Sequence, residues 1–317
     1  MLCEIGVRDD AGEASRQIVR RAINRNDDVD HLRDDCRGGY NVAVSSIIER
    51  RFIAGEPLHA IAEVRDIRAH AGLLYELVHR DLTVRYKRSV LGFVWTMLHP
   101  LLLMLIFLVV FSALFRGRAP HYETYFLSAY VAWNFFAQTT VNAMASVAWN
   151  GPLMKRVRVP QSIFTLSIAV SGLVNLGLSL VVLFSIMLAV GAPLRASLWF
   201  LPIALLIVGI FTLGVSLAVT AVSIFFGDVR EMVQAGMPAL MYLTPIIYPI
   251  SIVPEQFRWL IKLNPLVYIV EIVRDPIYYG ILPSRETLLV ATLVAVGALT
   301  AGWTIFRHAA PRFHAHL

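Results

Sequence analysis

Leu73-Leu74-Tyr75-Glu76-Leu77-Val78-His79-Arg80-Asp81-Leu82-Thr83-Val84-Arg85-Tyr86-Lys87-Arg88 leads without a break into Ser89-Val90-Leu91-Gly92-Phe93-Val94-Trp95-Thr96-Met97-Leu98-His99-Pro100, and the change of character across that junction decides the fold class. In the first half, Leu74, Leu77, Val78 and Leu82 recur at helical spacing with Tyr75 and Tyr86 beside them, while Glu76, His79, Arg80, Thr83 and Lys87 fall on the other side of the wheel. A helix so patterned lies in a membrane interface rather than across it. After Arg88 no formally charged residue occurs until Arg116, an interval longer than the roughly 20 residues needed to cross a hydrocarbon core. The chain therefore enters the bilayer near Gly92. The basic cluster Arg85, Lys87 and Arg88 just before it resists translocation and places the amino terminus in the cytoplasm.

Composition agrees with this reading. The chain has 317 residues, of which 57% are hydrophobic and 16% charged, and its mean hydropathy is +0.64. That is too apolar for a soluble protein of this size and describes a polytopic membrane protein. The net charge of +6 then reports the residues that flank spans and set orientation, not nucleic-acid binding. Residues 1–70 hold 11 of the 28 Lys/Arg and 13 of the 22 Asp/Glu, and they read as a cytosolic extension, partly disordered, with too little apolar sequence for a core. Its first 30 residues mix acids and bases and lack the apolar region of a signal peptide. Cys3 and Cys36, the only cysteines, both fall in this extension. A reducing compartment leaves them unpaired.

From Gly92 onward the sequence predicts six transmembrane helices, at about 92–115, 124–149, 163–190, 199–226, 232–250 and 287–306. The first is interrupted by His99-Pro100, where proline removes a backbone donor and favours a kink. The second carries Asn134, Gln138, Thr139, Thr140 and Asn142 among Tyr130, Trp133, Phe135 and Phe136. Polar groups at that depth face protein or water, whereas the aromatic rings suit an interfacial belt, the core or a channel equally. The turn after it holds Lys155, Arg156 and Arg158 between Pro152 and Pro160 and is cytoplasmic by its charge. Gly191-Ala192-Pro193 turns between spans three and four. Ser171, Gly172, Gly177, Gly209 and Gly214 are small enough to let helices approach closely.

Gly227-Asp228-Val229-Arg230-Glu231 is a charged break between spans four and five. Pro254, Pro265, Pro276 and Pro283 then cut residues 251–285 into apolar pieces, about 257–263 and 266–273, that are too short to cross. Such pieces suit re-entrant or interfacial helices. The last span returns residues 307–317 to the cytoplasm. Asp81 falls on the apolar stripe of the interfacial helix, and Arg85 four residues on is its expected ion-pair partner.

The sequence contains no Walker A pattern, no His-Glu-x-x-His and no Cys-x-x-Cys, so neither a nucleotide-triphosphate site of that kind nor those metal sites are encoded. The nine acids beyond residue 70 are scattered, and none lies deep in a predicted span. That weighs against an ion-coupled carrier and against a membrane enzyme, which needs converging catalytic groups. A permease driven by a separate motor fits what is left.

Three motifs in order point to a family. Arg80-Asp81-Leu82-Thr83-Val84-Arg85-Tyr86-Lys87-Arg88-Ser89-Val90-Leu91-Gly92, then Phe226-Gly227-Asp228-Val229-Arg230 with Leu243-Thr244-Pro245-Ile246-Ile247-Tyr248-Pro249, and Leu263-Asn264-Pro265-Leu266 resemble the signatures of ABC-2 type polysaccharide export permeases. This group exports O-antigen, teichoic acid and capsular chains, and the resemblance spans about residues 70–317. It implies a homodimer in the bacterial inner membrane that binds two copies of a separate ATPase subunit. ATP and magnesium sit on that partner, so this chain carries no cofactor. The implied substrate is a glycan on an undecaprenyl-diphosphate type lipid.

The same resemblance implies roles for particular residues. Residues 71–91 become a gate helix at which Asp81, Arg85, Tyr86, Lys87 and Arg88 meet the substrate, although the basic cluster also suffices as an orientation signal. Tyr130, Trp133, Asn134, Phe136, Gln138 and Asn142 line the channel. Lys155, Arg156 and Arg158, with Asp228, Arg230 and Glu231, contact the ATPase. Tyr248, Pro254, Asn264, Pro265, Glu271 and Arg274 belong to paired outer gate helices. An ABC-2 permease for a small molecule shares the six-span plan and is the alternative that the Arg80–Gly92 motif argues against.

Overall fold

The computed structural model describes residues 67, 68, 70–86, 98, 101, 102, 105, 106, 109, 110, 121–151 and 160–313. These lie within one compact unit, residues 61–317. The expected extension is thus almost wholly outside the described residues, as are most of the first span and the Lys155, Arg156 and Arg158 turn.

Every regular element among the described residues is helical: α1 (Ala71–Tyr86), α2 (Tyr122–Trp149), α3 (Ser162–Val190), α4 (Leu201–Phe225), α5 (Asp228–Leu243), α6 (Glu255–Leu263), α7 (Pro265–Arg274) and α8 (Arg285–Ala309). A 3-10 turn, Ala196–Phe200, leads into α4, and a π-helical turn, Asp275–Tyr279, follows α7. Among the described residues, three segments are long and apolar enough to cross a membrane: Ser162–Val190, Ala196–Phe225 and Arg285–Ala309. The 28-residue α2 has the length to cross, but its polar residues dilute the apolar run.

The ends of these helices follow from local chemistry. Gly191, at φ +78°, closes α3, with its N–H donating to Leu188 O at 3.2 Å and that of Ala192 to Met187 O at 2.8 Å. A left-handed residue at that position is the usual way to satisfy the last carbonyls, and glycine adopts it without a Cβ penalty. The Ser284 hydroxyl accepts from Thr287 N at 3.0 Å and so starts α8.

Packing is closest between α4 and α8. A Cβ added at Gly214 would strike the backbone of Ala298 and Leu299, and one at Gly302 would strike the Gly214 carbonyl. Backbones meet here because neither residue has a side chain. Gly172 likewise admits Thr139 and Phe135 of α2 against α3, while Gly177, expected to do the same, meets nothing within 4 Å. α2 packs on both α3 and α4, and α1 lies chiefly along α3. Buried Ser128, Ser146 and Ser167 return their hydroxyls to carbonyls three residues back, which satisfies them inside an apolar bundle.

Two expectations need correction. The charged break between spans four and five is no loop, because α4 ends at Phe225 and α5 starts at Asp228, so Asp228, Arg230 and Glu231 ride the first turn of a helix. Acids there complement the helix dipole, which favours helix over loop. α5 itself has 16 residues, not the 19 expected over 232–250, and ends at Leu243 before Pro245.

Candidate functional site

The polar residues of functional interest gather at the two ends of the bundle and along one stripe of α2. At the Tyr122 end, α5 unwinds into Thr244-Pro245-Ile246-Ile247-Tyr248-Pro249. Two prolines break the helix and leave a run of carbonyls without intrahelical donors. All four from Pro245 to Tyr248 find side-chain donors. Arg274 Nη2 donates to Pro245 O at 2.7 Å and to Ile246 O at 3.3 Å. The Tyr122 hydroxyl donates to Ile247 O, and that of Tyr125 to Tyr248 O at 3.2 Å.

Arg274 is therefore a buried cation, 3% exposed. Its guanidinium also lies over the Tyr125 ring, 4.0 Å from the centroid, and no carboxylate of the described residues pairs with it. Its charge is spread instead over carbonyl dipoles and an aromatic face, both of which attract a desolvated cation. Nε is buried without a hydrogen-bond partner among the described residues.

The other residues expected at an outer gate stand around this clamp. Asn264 is the hinge between α6 and α7: its Oδ1 caps α7 by accepting from Leu266 N at 3.1 Å, and its Nδ2 donates to Thr244 Oγ1 at 3.0 Å. Pro265 is the first residue of α7, where its missing donor and fixed φ suit a helix start. The Tyr248 hydroxyl folds back to Tyr242 O at 2.9 Å. Pro254 precedes α6 and is exposed, and Glu271 is half-buried one turn before Arg274. Ser197 donates to Pro276 O at 2.9 Å and Arg195 to Tyr279 O at 2.8 Å, which ties the turn after α7 to the start of α4.

Along α2 the structure divides the aromatic from the polar residues. Trp133 and Phe136 are buried in the core, their rings 5.7 Å apart, and Phe136 stacks on Phe211 of α4 at 5.5 Å. Asn134, Gln138 and Asn142, each four residues from the next, form a separate stripe. Gln138 is exposed and the other two are half-buried. Tyr130 stands at the head of this stripe, with its ring on Phe126.

At the Trp149 end, α1 meets the bundle. Leu77 is buried with Val147, Ile163, Phe164, Leu217, Ala221, Phe306 and Phe313. Asp81 pairs with its neighbour Arg80, at 3.1 Å, and Arg80 also donates to Asn150 Oδ1 at 2.9 Å. The side chains of Arg85 and Tyr86, with Lys87 and Arg88, lie outside the described residues, so the expected Asp81–Arg85 pair does too. Arg80, assigned to the polar side of the wheel, supplies the observed partner because its long stem brings the guanidinium round to the bundle. Asp228, Arg230 and Glu231 are all exposed.

The ABC-2 type transporter family profile matches residues 72–278, well over half of the chain. The chain belongs to the ABC-2 type transporter family. It is 30% identical over 242 residues to the O-antigen export system permease protein RfbA of Klebsiella pneumoniae, a match covering 76% of this chain and 93% of that protein. The RfbA of Myxococcus xanthus is 29% identical over 245 residues, 77% of this chain and 94% of that one. The capsule polysaccharide export inner-membrane protein CtrC of Neisseria meningitidis serogroup A is 22% identical over 230 residues, 70% and 85% of the two chains. The family match begins within α1 and ends in the turn after α7, so it takes in both the Arg80 contact and the Arg274 clamp.

Several residues of these sites were not singled out from sequence. Tyr122 and Tyr125, one helical turn apart at the start of α2, are a readable signal only once the broken α5 is known to need donors beside them. Asn150 had looked like part of a turn.

Proposed function

We propose that this chain is the membrane subunit of an ABC exporter that carries a lipid-diphosphate-linked polysaccharide, of O-antigen type, across the bacterial inner membrane. The observation that carries the reading is the similarity to O-antigen export permeases over 93% of their length. The permease works as a homodimer with two copies of a separate ATPase subunit, which binds and hydrolyses ATP. Both termini are cytoplasmic, and six helices of each protomer span the membrane.

In this account α1 is the gate helix. Arg85, Lys87 and Arg88 draw the diphosphate to the cytosolic interface, since clustered cations near a bilayer surface attract phosphate. The glycan passes along the polar stripe Asn134, Gln138 and Asn142, with Tyr130 at its head. The stripe supports this role because polar side chains in a membrane helix are costly against lipid, and amides exchange hydrogen bonds with a moving chain of hydroxyls without fixing its register. Trp133 and Phe136 pack behind that surface and hold its shape. The bare side of α5, none of whose residues is buried in the protomer, is the surface for the second copy. Lys155, Arg156 and Arg158, with Asp228, Arg230 and Glu231, face the ATPase, and the re-entrant α6–α7 pair closes the outer end.

Deletion of the gene tests the reading. Loss of surface polysaccharide with build-up of lipid-linked glycan in the cell, both restored by the wild-type gene, is the expected result. Unchanged surface polysaccharide with lost efflux of a small molecule would favour the other ABC-2 substrate class.

A further inference from the structure

We propose that Arg80 and Asn150 form the strut through which movement at the end of α2 reaches the gate helix, α1. The inference rests on the export reading above, and it concerns two residues to which neither motif nor family assigns a role. Asn150 is the residue after α2, two positions ahead of the Pro152–Pro160 stretch of sequence, and it is buried at 7% exposure. Its amide cannot turn freely: Nδ2 donates to Ser146 O at 2.7 Å while the backbone N–H donates to the same carbonyl at 3.1 Å. Oδ1 is thereby aimed at Arg80 Nη1, 2.9 Å away.

On the other side of the contact Arg80 is exposed, but its guanidinium is held at both edges. Arg80 Nη2 and Nε donate to Asp81 Oδ1 at 3.1 and 3.3 Å, so a planar fork is held by one acceptor on α1 and by one at the end of α2. Asp81 Oδ2 is buried with no hydrogen-bond partner among the described residues. The odd acid on the apolar stripe thus has a task, which is to orient the guanidinium. Leu77 and Val147, each three residues earlier on its own helix, share one buried cluster, so an apolar seam runs beside the polar contact. α1 lies mainly on α3, and the Arg80 side chain adds a polar contact to the end of α2. When the end of α2 shifts, a strut of charge-assisted hydrogen bonds passes that shift to α1, whereas greasy contacts alone allow slip.

The test uses the full permease with its ATPase partner. Surface polysaccharide per permease is measured on cells, and ATP hydrolysis is measured on the purified complex in proteoliposomes. The variants are Arg80→Ala, Asn150→Ala, the double variant, Arg80→Lys and Asn150→Asp. Each alanine variant is expected to lower export roughly three- to thirtyfold while hydrolysis continues, with the double variant no worse than the more affected single one. Asn150→Asp keeps an acceptor for Arg80 and retains most export; Arg80→Lys lacks the fork and does not. Additive losses in the double variant, hydrolysis falling in step with export, or unaltered export in the single variants would overturn the strut. Should the alanine variants not accumulate, the Lys and Asp variants decide, and wild-type export by Arg80→Lys sinks the idea. Absence of glycan export by the wild-type protein, with ATP still hydrolysed, would instead count against the export reading.

Discussion

The Arg274 guanidinium lies 4.0 Å from the centroid of the Tyr125 ring while its Nη2 donates to Pro245 O at 2.7 Å. One side chain of α7 therefore holds both the start of α2 and the unwound end of α5. Arg274→Met removes two charge-assisted bonds and leaves carbonyls exposed to an apolar interior, a loss of about 2 kcal/mol or more. Tyr125→Phe keeps the ring and removes only the bond to Tyr248 O, about 1 kcal/mol. Melting temperatures of the purified protein in nanodiscs are expected to fall most for Arg274→Met, less for Tyr125→Leu and least for Tyr125→Phe. Equal values for Arg274→Met and the wild type would refute the clamp.

The α4–α8 crossing supplies a second prediction. Gly214→Ala places a methyl group into the backbone of Ala298 and Leu299, and overpacking of this kind costs about 1–3 kcal/mol. Gly177→Ala, with nothing within 4 Å of its Cβ, serves as the matched control and is expected to leave thermal stability unchanged. Similar losses for the two variants would mean that the helices do not meet at Gly214.

Asn264 carries two roles in one side chain, and they can be separated. Asn264→Ala loses both the α7 cap and the bond to Thr244, and a cap alone is worth about 1 kcal/mol. Asn264→Asp keeps an acceptor for Leu266 N and loses the donor to Thr244. Its melting temperature is expected to fall between those of the wild type and Asn264→Ala.

For the stripe on α2, replacing Asn134, Gln138 and Asn142 together by Leu is expected to leave protein level near normal and to depress export. Phe136→Ala, in the core against Phe211, instead costs about 3–5 kcal/mol and lowers the amount of folded protein. Quantitative blots beside surface-polysaccharide assays separate the two. Normal export by the triple Leu variant would remove the stripe from the pathway.

Much of this was readable from the residues alone. Gly191 marked the end of α3 and Pro265 the start of α7, because backbone limits on glycine and proline act locally. Ser162–Val190 and Arg285–Ala309 were visible as long apolar runs. The Arg274 clamp was not, since nothing in a linear pattern shows that carbonyls 245–248 lie beside Arg274, 29 residues on, and beside Tyr122 and Tyr125, more than a hundred residues back in the chain. The Arg80 contact was hidden for a related reason. Helical spacing points Asp81 to Arg85, whereas the adjacent Arg80 bends its flexible stem towards the bundle once Asn150 of another helix provides a second acceptor.

The central claim is that this permease moves lipid-diphosphate-linked polysaccharide, and inverted inner-membrane vesicles holding the permease and its ATPase measure it directly. Labelled lipid-linked glycan is supplied on the cytosolic face, ATP is added, and the glycan shielded from added glycosidase is followed with time. ATP-dependent shielding that disappears without the permease is expected. Glycan that stays fully accessible to the enzyme while the complex hydrolyses ATP would contradict the claim.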